Sequence, residues 1–270
     1  MSFATAKDGT KIYYRDLGDP KATSTVVMIQ GLGLSSKFWF DLPDRLASDP
    51  KKSRRVLALD NRGTGQSGRP RGPYSMKRLA DDVACVLENA NAQQVTVVGI
   101  SMGGMISQHV VLRHPNRVRG LVLLATMAGL PHARLATPAA IAKLISIGFG
   151  RDRSGRKLAE LLLPKSEMHR AREIFAAWPE EMKKSPPALA TFLGQIAAIL
   201  RHSTGFSLRK ITVPTVVMTG DQDALVPPKN SHILARKIPG ARLEVLHGVG
   251  HAIPSLDADA VRRALEMIQA

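Results

Sequence analysis

Near the middle of the chain an apolar run passes directly into a glycine-rich turn and then into a helix-like stretch. From residue 95 to residue 104 it reads Val95-Thr96-Val97-Val98-Gly99-Ile100-Ser101-Met102-Gly103-Gly104. The valine-rich start is typical of a strand buried on both faces of a parallel sheet. Residues 102 to 113 have helical character, so the sequence predicts a strand, a tight turn and a helix in this order.

The turn carries a serine between two glycines, in the pattern G-x-S-x-G. A strand-to-helix turn this sharp leaves little room for side chains at Gly99 and Gly103, and it forces Ser101 into an exposed position at the head of a helix. The helix N-terminus favours negative charge there, and the backbone N–H of Met102 can donate to an oxyanion. We therefore predict that Ser101 is a nucleophile and Met102 an oxyanion donor.

The rest of the chain alternates short aliphatic runs with longer amphipathic stretches. Strands are predicted at 11–15 (as an edge strand), 25–30, 55–60, 95–100, 120–125, 215–220 and 242–246. Helices are predicted at 37–48, 75–91, 102–113, 229–237 and 255–269. This alternation predicts an α/β fold, with helices on both faces of a mostly parallel sheet.

The alternation stops between residues 127 and 206. This segment contains helix-like pieces at 139–147, 156–163, 168–178 and 188–200, broken by six prolines, and no convincing strand. We predict a helical cap at 127–206, inserted into an α/β core formed by 1–126 and 207–270.

A serine nucleophile needs a base within hydrogen-bond reach. His251 lies in the glycine-flanked loop Gly248-Val249-Gly250-His251 after the last predicted strand, where an imidazole can reach over the carboxyl edge of the sheet. For the other seven histidines, solvated or packing roles are expected. We predict that His251 is the general base.

Two carboxylates follow the strand predicted at 215–220 and are candidates to orient the histidine. They are Asp221 and Asp223. The Gly-x-x-Asp spacing from Gly220 lets the chain clear the strand end before the side chain turns inward, which favours Asp223. Asp221 is expected to cap the loop.

With these residues in the order Ser, Asp, His, the chain resembles the α/β-hydrolase superfamily over essentially its full length. Within it, the resemblance is to serine esterases, enol-lactonases and haloperoxidase-like perhydrolases. Residues 60–67 resemble the family's D-x-R-G-x-G-x-S loop, which implies a structural role for Asp60 and Ser67. The resemblance also places a second oxyanion donor, a backbone N–H, at Leu32, although Gln30 stands where the family usually has histidine.

The resemblance implies hydrolysis of small carboxylic esters or lactones through an acyl-enzyme. The sequence shows no metal-ligand cluster and no dinucleotide-binding fingerprint, so we expect no cofactor and no metal. Three alternatives stay open. First, the same triad serves carbon–carbon bond hydrolysis, amide cleavage or perhydrolysis in other members of the superfamily. Second, some triad-bearing members are small-molecule receptors. Third, a basic protein can bind nucleic acid or a membrane surface.

Composition and charge limit the last alternative. The 270 residues carry a net charge of +16, but the excess is spread along the chain, whereas nucleic-acid-binding modules usually concentrate it in one stripe. The densest cluster, residues 51–55, is expected in a solvated turn. The sequence shows no run long enough to span a membrane and no signal-peptide pattern, so we expect a cytoplasmic protein that binds no nucleic acid, with homo-oligomerisation left open.

Overall fold

The computed structural model describes residues 2–50, 52–152, 155–176, 178 and 188–269. Its centre is an eight-stranded sheet in the order β1-β2-β4-β3-β5-β6-β7-β8. The strands are β1 (Ser2–Thr5), β2 (Lys11–Leu17), β3 (Ser24–Ile29), β4 (Arg54–Leu59), β5 (Val95–Ile100), β6 (Val118–Leu124), β7 (Thr215–Gly220) and β8 (Arg242–Leu246). The pairs β1–β2 and β2–β4 are antiparallel and all other pairs are parallel, which confirms the predicted mostly parallel sheet.

Helices cover both faces of the sheet, and others lie in the connection between β6 and β7. They are α1 (Leu42–Ala47), α2 (Met76–Asn89), α3 (Met102–Arg113), α4 (Pro138–Gly148), α5 (Arg156–Leu162), α6 (Ala171–Ile174), α7 (Leu189–Leu200), α8 (Lys229–Lys237), α9 (Ile253–Leu256) and α10 (Ala260–Gln269). Short 3₁₀ helices lie at Ser36–Trp39, Pro115–Arg117, Lys165–Arg170 and Leu208–Lys210.

The aliphatic strands form because both faces of the sheet are covered. Along β3, Val27 and Ile29 join an apolar cluster with α2, α3 and α8, while Val26 and Met28 join another with α1 and α10. Successive side chains of a strand point to opposite faces, so a strand covered on both sides must be apolar at nearly every position.

Between β6 and β7 the described residues form α4 to α7 and two 3₁₀ helices, Lys165–Arg170 and Leu208–Lys210, but no strand of the sheet. One isolated antiparallel bridge pairs Gly129 with Ser203 and holds together the chain segments that lead into and out of this region. The helical character of the insertion therefore agrees with the sequence, and the division at 127 and 206 stays a prediction.

Three local predictions were wrong. The strand at Lys11–Leu17 is not at the edge, because β1 pairs outside it; β1 has only four residues and buries only Ala4, too little for a sequence pattern. The helix expected at 37–48 is interrupted at Phe40, which adopts a left-handed φ of 51°. The helix expected at 255–269 is two helices, α9 and α10.

The basic cluster at 51–55 also differs from its prediction as a solvated turn. Arg54 and Arg55 belong to β4 and are buried. Asp49 accepts from Arg54 at 3.1 Å and Asp16 accepts from Arg55 at 2.7 Å, so both charges are paired within the fold. Lys51 lies outside the described residues.

In the part of the chain that the structure describes, no helix combines the length and the apolar character needed to cross a membrane.

Candidate active site

The predicted site residues follow the carboxyl ends of neighbouring parallel strands. Leu32 follows β3, Ser101 follows β5, Asp223 follows β7 and His251 follows β8. Because these strands run parallel, their carboxyl ends lie along one edge of the sheet. This edge is where open α/β sheets bind ligands.

Ser101 occupies a strained turn between β5 and α3. Its backbone has φ 56° and ψ −120°, a conformation that costs a non-glycine residue on the order of 1–3 kcal/mol. The backbone N–H of Ser101 donates to the carbonyl of Leu124 at 2.9 Å, and the hydroxyl of Thr126 donates to the carbonyl of Ser101 at 2.7 Å. These two hydrogen bonds therefore tie Ser101, at the N-terminus of α3, to the end of β6 and the residues that follow it.

Both flanking glycines are required by close approach of backbone atoms. A Cβ at Gly99 would lie 2.3 Å from the Ser107 hydroxyl oxygen and 2.4 Å from the Gly103 carbonyl oxygen. A Cβ at Gly103 would lie 2.1 Å from the carbonyl oxygen of Ile29. The G-x-S-x-G pattern therefore has a steric cause in this fold.

His251 and Asp223 form a buried pair. Nδ1 of His251 lies 2.7 Å from Oδ2 of Asp223, whose side chain is fully buried. The other oxygen of Asp223 accepts from the backbone N–H groups of Leu225 and Val226, at 2.9 and 2.8 Å. These two donors stabilise the ionised carboxylate, which in turn fixes the proton on Nδ1 and leaves Nε2 free to accept one.

Asp221 has a different environment. Its carboxylate accepts from the backbone N–H of Gly248 at 2.9 Å and lies 3.1 Å from Nδ1 of His247, whose side chain is largely exposed. Asp221 therefore ties the β7 loop to the loop after β8, and it makes no hydrogen bond with His251.

No hydrogen bond joins the hydroxyl of Ser101 to His251 among the described residues. The structure thus brings Asp223 and His251 together and places Ser101 at the same sheet edge. Transfer of a proton between Ser101 and His251 remains a prediction.

The loop after β3 lies against the turn that holds Ser101. A Cβ at Gly31 would lie 3.3 Å from the Ser101 Cβ and 3.7 Å from its hydroxyl oxygen. The side chain of Gln30 accepts from the backbone N–H of Gly31 at 3.0 Å, and that of Gln195 accepts from the backbone N–H of Gly33 at 2.9 Å. Among the described residues, the backbone N–H groups of Leu32 and Met102 donate to no protein acceptor.

Asp60 has a structural role, as the family resemblance implied. Its carboxylate accepts from the backbone N–H groups of Ser36 and Gln66, at 2.6 and 2.8 Å. Burial raises the pKa of Asp60, against the effect of these donors. The hydroxyl of Ser67 donates to the Asp60 carbonyl and accepts from the backbone N–H of Tyr13.

Helices of the insertion pack on the loops that carry the site. A third apolar cluster combines residues of α4 and α5 and the buried Trp178 with Leu34 of the β3 loop, Leu225 of the β7 loop and Ala252 of the β8 loop. The backbone N–H of Ala252, next to His251, donates to the carbonyl of Leu162 at the end of α5. The position of the histidine loop therefore depends on the insertion.

The sequence did not predict the hydrogen bonds of Gln30 and Gln195, although Gln30 stood out as a departure from the family pattern. Gln195 is the only long polar residue of α7, which otherwise reads Leu-Ala-Thr-Phe-Leu-Gly before it and Ile-Ala-Ala-Ile-Leu after it. A lone amide in an apolar helix is a signal of a buried hydrogen-bonding role. Within the described residues, no group of three or more His, Cys, Asp or Glu side chains is arranged to hold a metal ion.

Comparisons with known proteins agree with this architecture. The family model described as alpha/beta hydrolase fold matches residues 24–258. The chain is similar to the non-heme haloperoxidase of Rhodococcus erythropolis, at 31% identity over 98% of each chain. It is similar to the 2-hydroxymuconate semialdehyde hydrolase of Pseudomonas putida, at 33% identity over 80% of this chain and 76% of that one.

A solved structure, that of Est816 described as an N-acyl homoserine lactone degrading enzyme, superposes with a TM-score of 0.81 at 26% identity and covers 98% of this chain and 99% of that one. The family model, the relatives and the sheet order point the same way: the chain belongs to the α/β-hydrolase family.

Proposed function

We propose that the protein is a serine hydrolase that cleaves carboxylic esters or lactones of small molecules. The observation that carries this proposal is the buried Asp223–His251 pair at the sheet edge where Ser101 occupies the strained nucleophile turn. Asp223 is the orienting acid, His251 the general base and Ser101 the nucleophile. The backbone N–H groups of Leu32 and Met102 form the oxyanion hole.

In the acylation half, Nε2 of His251 takes the proton of the Ser101 hydroxyl as the oxygen attacks the substrate carbonyl carbon. The carbonyl electron pair moves to oxygen, and the resulting oxyanion accepts from the two backbone N–H groups. The intermediate collapses with cleavage of the bond to the alcohol oxygen. His251 gives its proton to that oxygen, and an acyl-serine remains.

In the deacylation half, water takes the place of the alcohol. His251 removes a proton from the water as its oxygen attacks the acyl carbon, and the oxyanion forms again in the same hole. Collapse breaks the bond to the Ser101 oxygen, which recovers its proton from His251. Throughout, Asp223 keeps the proton on Nδ1 and stabilises the imidazolium that forms in each half.

The test is hydrolysis of p-nitrophenyl esters and a panel of lactones by the wild type and by Ser101→Ala. Loss of a triad nucleophile typically lowers kcat on the order of 10⁶-fold, while removal of one partly exposed hydroxyl should barely change the unfolding midpoint. Undiminished turnover by Ser101→Ala, at a matched midpoint, would overturn the proposal.

A second candidate reaction uses the same triad for carbon–carbon bond hydrolysis or perhydrolysis. It is supported by the similarity to the Pseudomonas putida hydrolase and the Rhodococcus erythropolis haloperoxidase. Assays with a vinylogous 1,5-diketone, and with acetate plus hydrogen peroxide, separate it from ester hydrolysis. A kcat/KM for either that exceeds the best value on the ester and lactone panel would favour this candidate.

A further inference from the structure

One amide of the insertion reaches the proposed oxyanion hole. Gln195 lies in the middle of α7 and its side chain is completely buried. Its carbonyl oxygen accepts from the backbone N–H of Gly33 at 2.9 Å, and its amide nitrogen donates to the carbonyl of Arg62 at 3.3 Å. Gln195 therefore connects α7 to two loops of the core, those after β3 and β4.

The loop around Leu32 has little stiffness of its own. Glycines flank Leu32 on both sides, and Gly33 has a left-handed φ of 71°. Glycine has more backbone freedom than any other residue, so the direction of the Leu32 N–H depends on contacts from outside the loop. The Gly31 carbonyl, which shares a peptide plane with that N–H, accepts from the Leu34 backbone N–H at a long 3.4 Å.

The two stronger contacts come from glutamine side chains. Gln30 holds the Gln30–Gly31 peptide through the Gly31 N–H, and Gln195 holds the Leu32–Gly33 peptide through the Gly33 N–H. The Gly31–Leu32 peptide, which carries the Leu32 N–H, lies between these two. Gln30 is the chain neighbour of Gly31, so this hydrogen bond lies within the loop itself. Gln195 is the external anchor, because Arg62, which accepts from it, is itself buried and paired with Asp82 and Asp8.

We infer that Gln195 is a positioning residue that aims the Leu32 backbone N–H at the oxyanion, so that helix α7 completes the oxyanion hole. This inference rests on the proposed function. A Gln195 that only satisfied two buried polar groups would contribute to stability alone. A Gln195 that aims the N–H must also contribute to kcat, because an oxyanion-hole donor acts on charge that develops in the transition state.

The experiment compares Gln195→Met with Thr191→Val. Methionine keeps the approximate length of the side chain and removes both hydrogen bonds. Thr191 is a matched control: it lies one turn earlier in α7, is buried, and packs on the neighbouring Gly63 loop, with its methyl 2.4 Å from where a Gly63 Cβ would lie. Both variants are measured for kcat, KM, unfolding midpoint and inhibition by butylboronic acid, whose tetrahedral adduct with a serine fills the oxyanion hole.

We expect Gln195→Met to lower kcat about 10- to 100-fold, as misplacement of one donor by about 1 Å does, with KM changed by less than about threefold. The inhibition constant of butylboronic acid should rise by a similar factor to the loss in kcat/KM. Thr191→Val should keep kcat within about twofold of the wild type. Gln195→Glu should recover most of the lost kcat, because burial keeps a carboxyl protonated, and a neutral carboxyl can both accept from Gly33 and donate to Arg62.

The inference is overturned if Gln195→Met retains the kcat of Thr191→Val, or if its loss lies in KM or in the unfolding midpoint alone. If Gln195→Met does not fold, Gln195→Asn decides, since it keeps the amide but withdraws it from Gly33, and it must show the same loss in kcat. Wild-type turnover that survives Ser101→Ala overturns the proposed function instead, so the two failures are distinguishable.

Discussion

Two aspartates only two positions apart have different environments at the end of β7. The Asp223 carboxylate is fully buried and accepts from two backbone N–H groups as well as from His251. The Asp221 carboxylate remains partly exposed and holds the loop of Gly248 and His247. Only Asp223 can fix the tautomer of His251.

Replacement of each aspartate by asparagine tests this assignment. Asp223→Asn offers an amide donor to Nδ1, so the proton moves to Nε2 and the imidazole can no longer act as a base; kcat should fall on the order of 10⁴-fold. Asp221→Asn should lower kcat by less than about tenfold. Steady-state kinetics of both variants provides the measurement, and equal losses or the reverse ranking would show that Asp223 is the wrong residue.

The candidate site residues that could be predicted from the sequence are those that lie in a short local sequence pattern. Ser101 stands in its glycine turn, His251 follows a glycine loop, and Asp223 follows a strand at a fixed spacing. Gln195 could not be predicted as a partner of Gly33, because the two residues lie 162 positions apart and meet only through the packing of the insertion on the core. The hydrogen bond of Gln30 could not be predicted either, because it depends on the side chain turning back to the N–H of the next residue, Gly31.

At the scale of elements, the contact between α3 and β3 sets the position of the proposed nucleophile, Ser101, relative to the loop of the proposed oxyanion donor Leu32. Gly103 at the start of α3 packs directly against the last residues of β3, the strand that leads into Gln30 and Leu32. A backbone carbonyl cannot rotate away as a flexible side chain can. Any side chain at position 103 must therefore push the helix and the strand apart.

Gly103→Ala should reduce both stability and activity. The added Cβ would overlap the Ile29 carbonyl oxygen at 2.1 Å, and overpacking of this kind costs about 1–3 kcal/mol. Of the two proposed oxyanion donors, Leu32 follows this strand and Met102 begins this helix, so kcat should fall at least about tenfold when the two separate. Urea unfolding and ester hydrolysis measure the two effects.

Gly240→Ala is the control for this variant. Gly240 has a left-handed φ of 68° and no atom within 4 Å of an added Cβ, so only backbone strain is introduced. It should lose stability and keep kcat. An equal kcat for the two variants would show that the contact of α3 with β3 does not align the site.

Element positions were predictable where apolar periodicity was strong. The bounds of β5, β7, β8, α3 and α8 agree with those expected from sequence. The helix expected at 37–48 failed at Phe40, since a left-handed residue without glycine leaves no local signal. The strand β1 is formed by pairing with β2. A segment of four residues carries too little sequence pattern to predict such a pairing.

Across the whole molecule, a buried histidine pair joins α3 to the end of the insertion. Nε2 of His109 lies 3.3 Å from Nδ1 of His202, whose Nε2 lies 3.1 Å from the carbonyl of Met127. The carbonyl requires a proton on Nε2 of His202, so its Nδ1 accepts from His109 and both rings are neutral. Burial lowers the pKa of His109 and of His202 to about 4 in each case.

This pair makes stability depend on pH. In the unfolded chain each ring takes up a proton near its ordinary pKa of 6.5, whereas the folded state holds both neutral to about pH 4. The unfolded state therefore binds more protons in this window, and the free energy of unfolding falls as pH is lowered from 6.5 to 4. His202→Gln should reduce that slope by on the order of 1 kcal/mol per pH unit.

Urea unfolding between pH 4 and pH 7 provides the measurement, with His232→Gln, at an exposed position of α8, as the control. A slope in His202→Gln equal to that of the control would show that the buried pair does not carry the dependence. No sequence pattern predicted this pair, because its two histidines lie 93 positions apart.

Covalent labelling of the nucleophile tests the serine-hydrolase assignment most directly. The protein is inactivated with an alkyl p-nitrophenyl phosphonate, digested, and mapped by mass spectrometry. We predict one phosphonyl group per chain, on Ser101, formed in proportion to the loss of esterase activity and absent from His251→Ala, since the hydroxyl then lacks its base. A label on a different serine, or labelling of Ser101 at an undiminished rate in His251→Ala, would contradict the assignment of Ser101 as a nucleophile activated by His251.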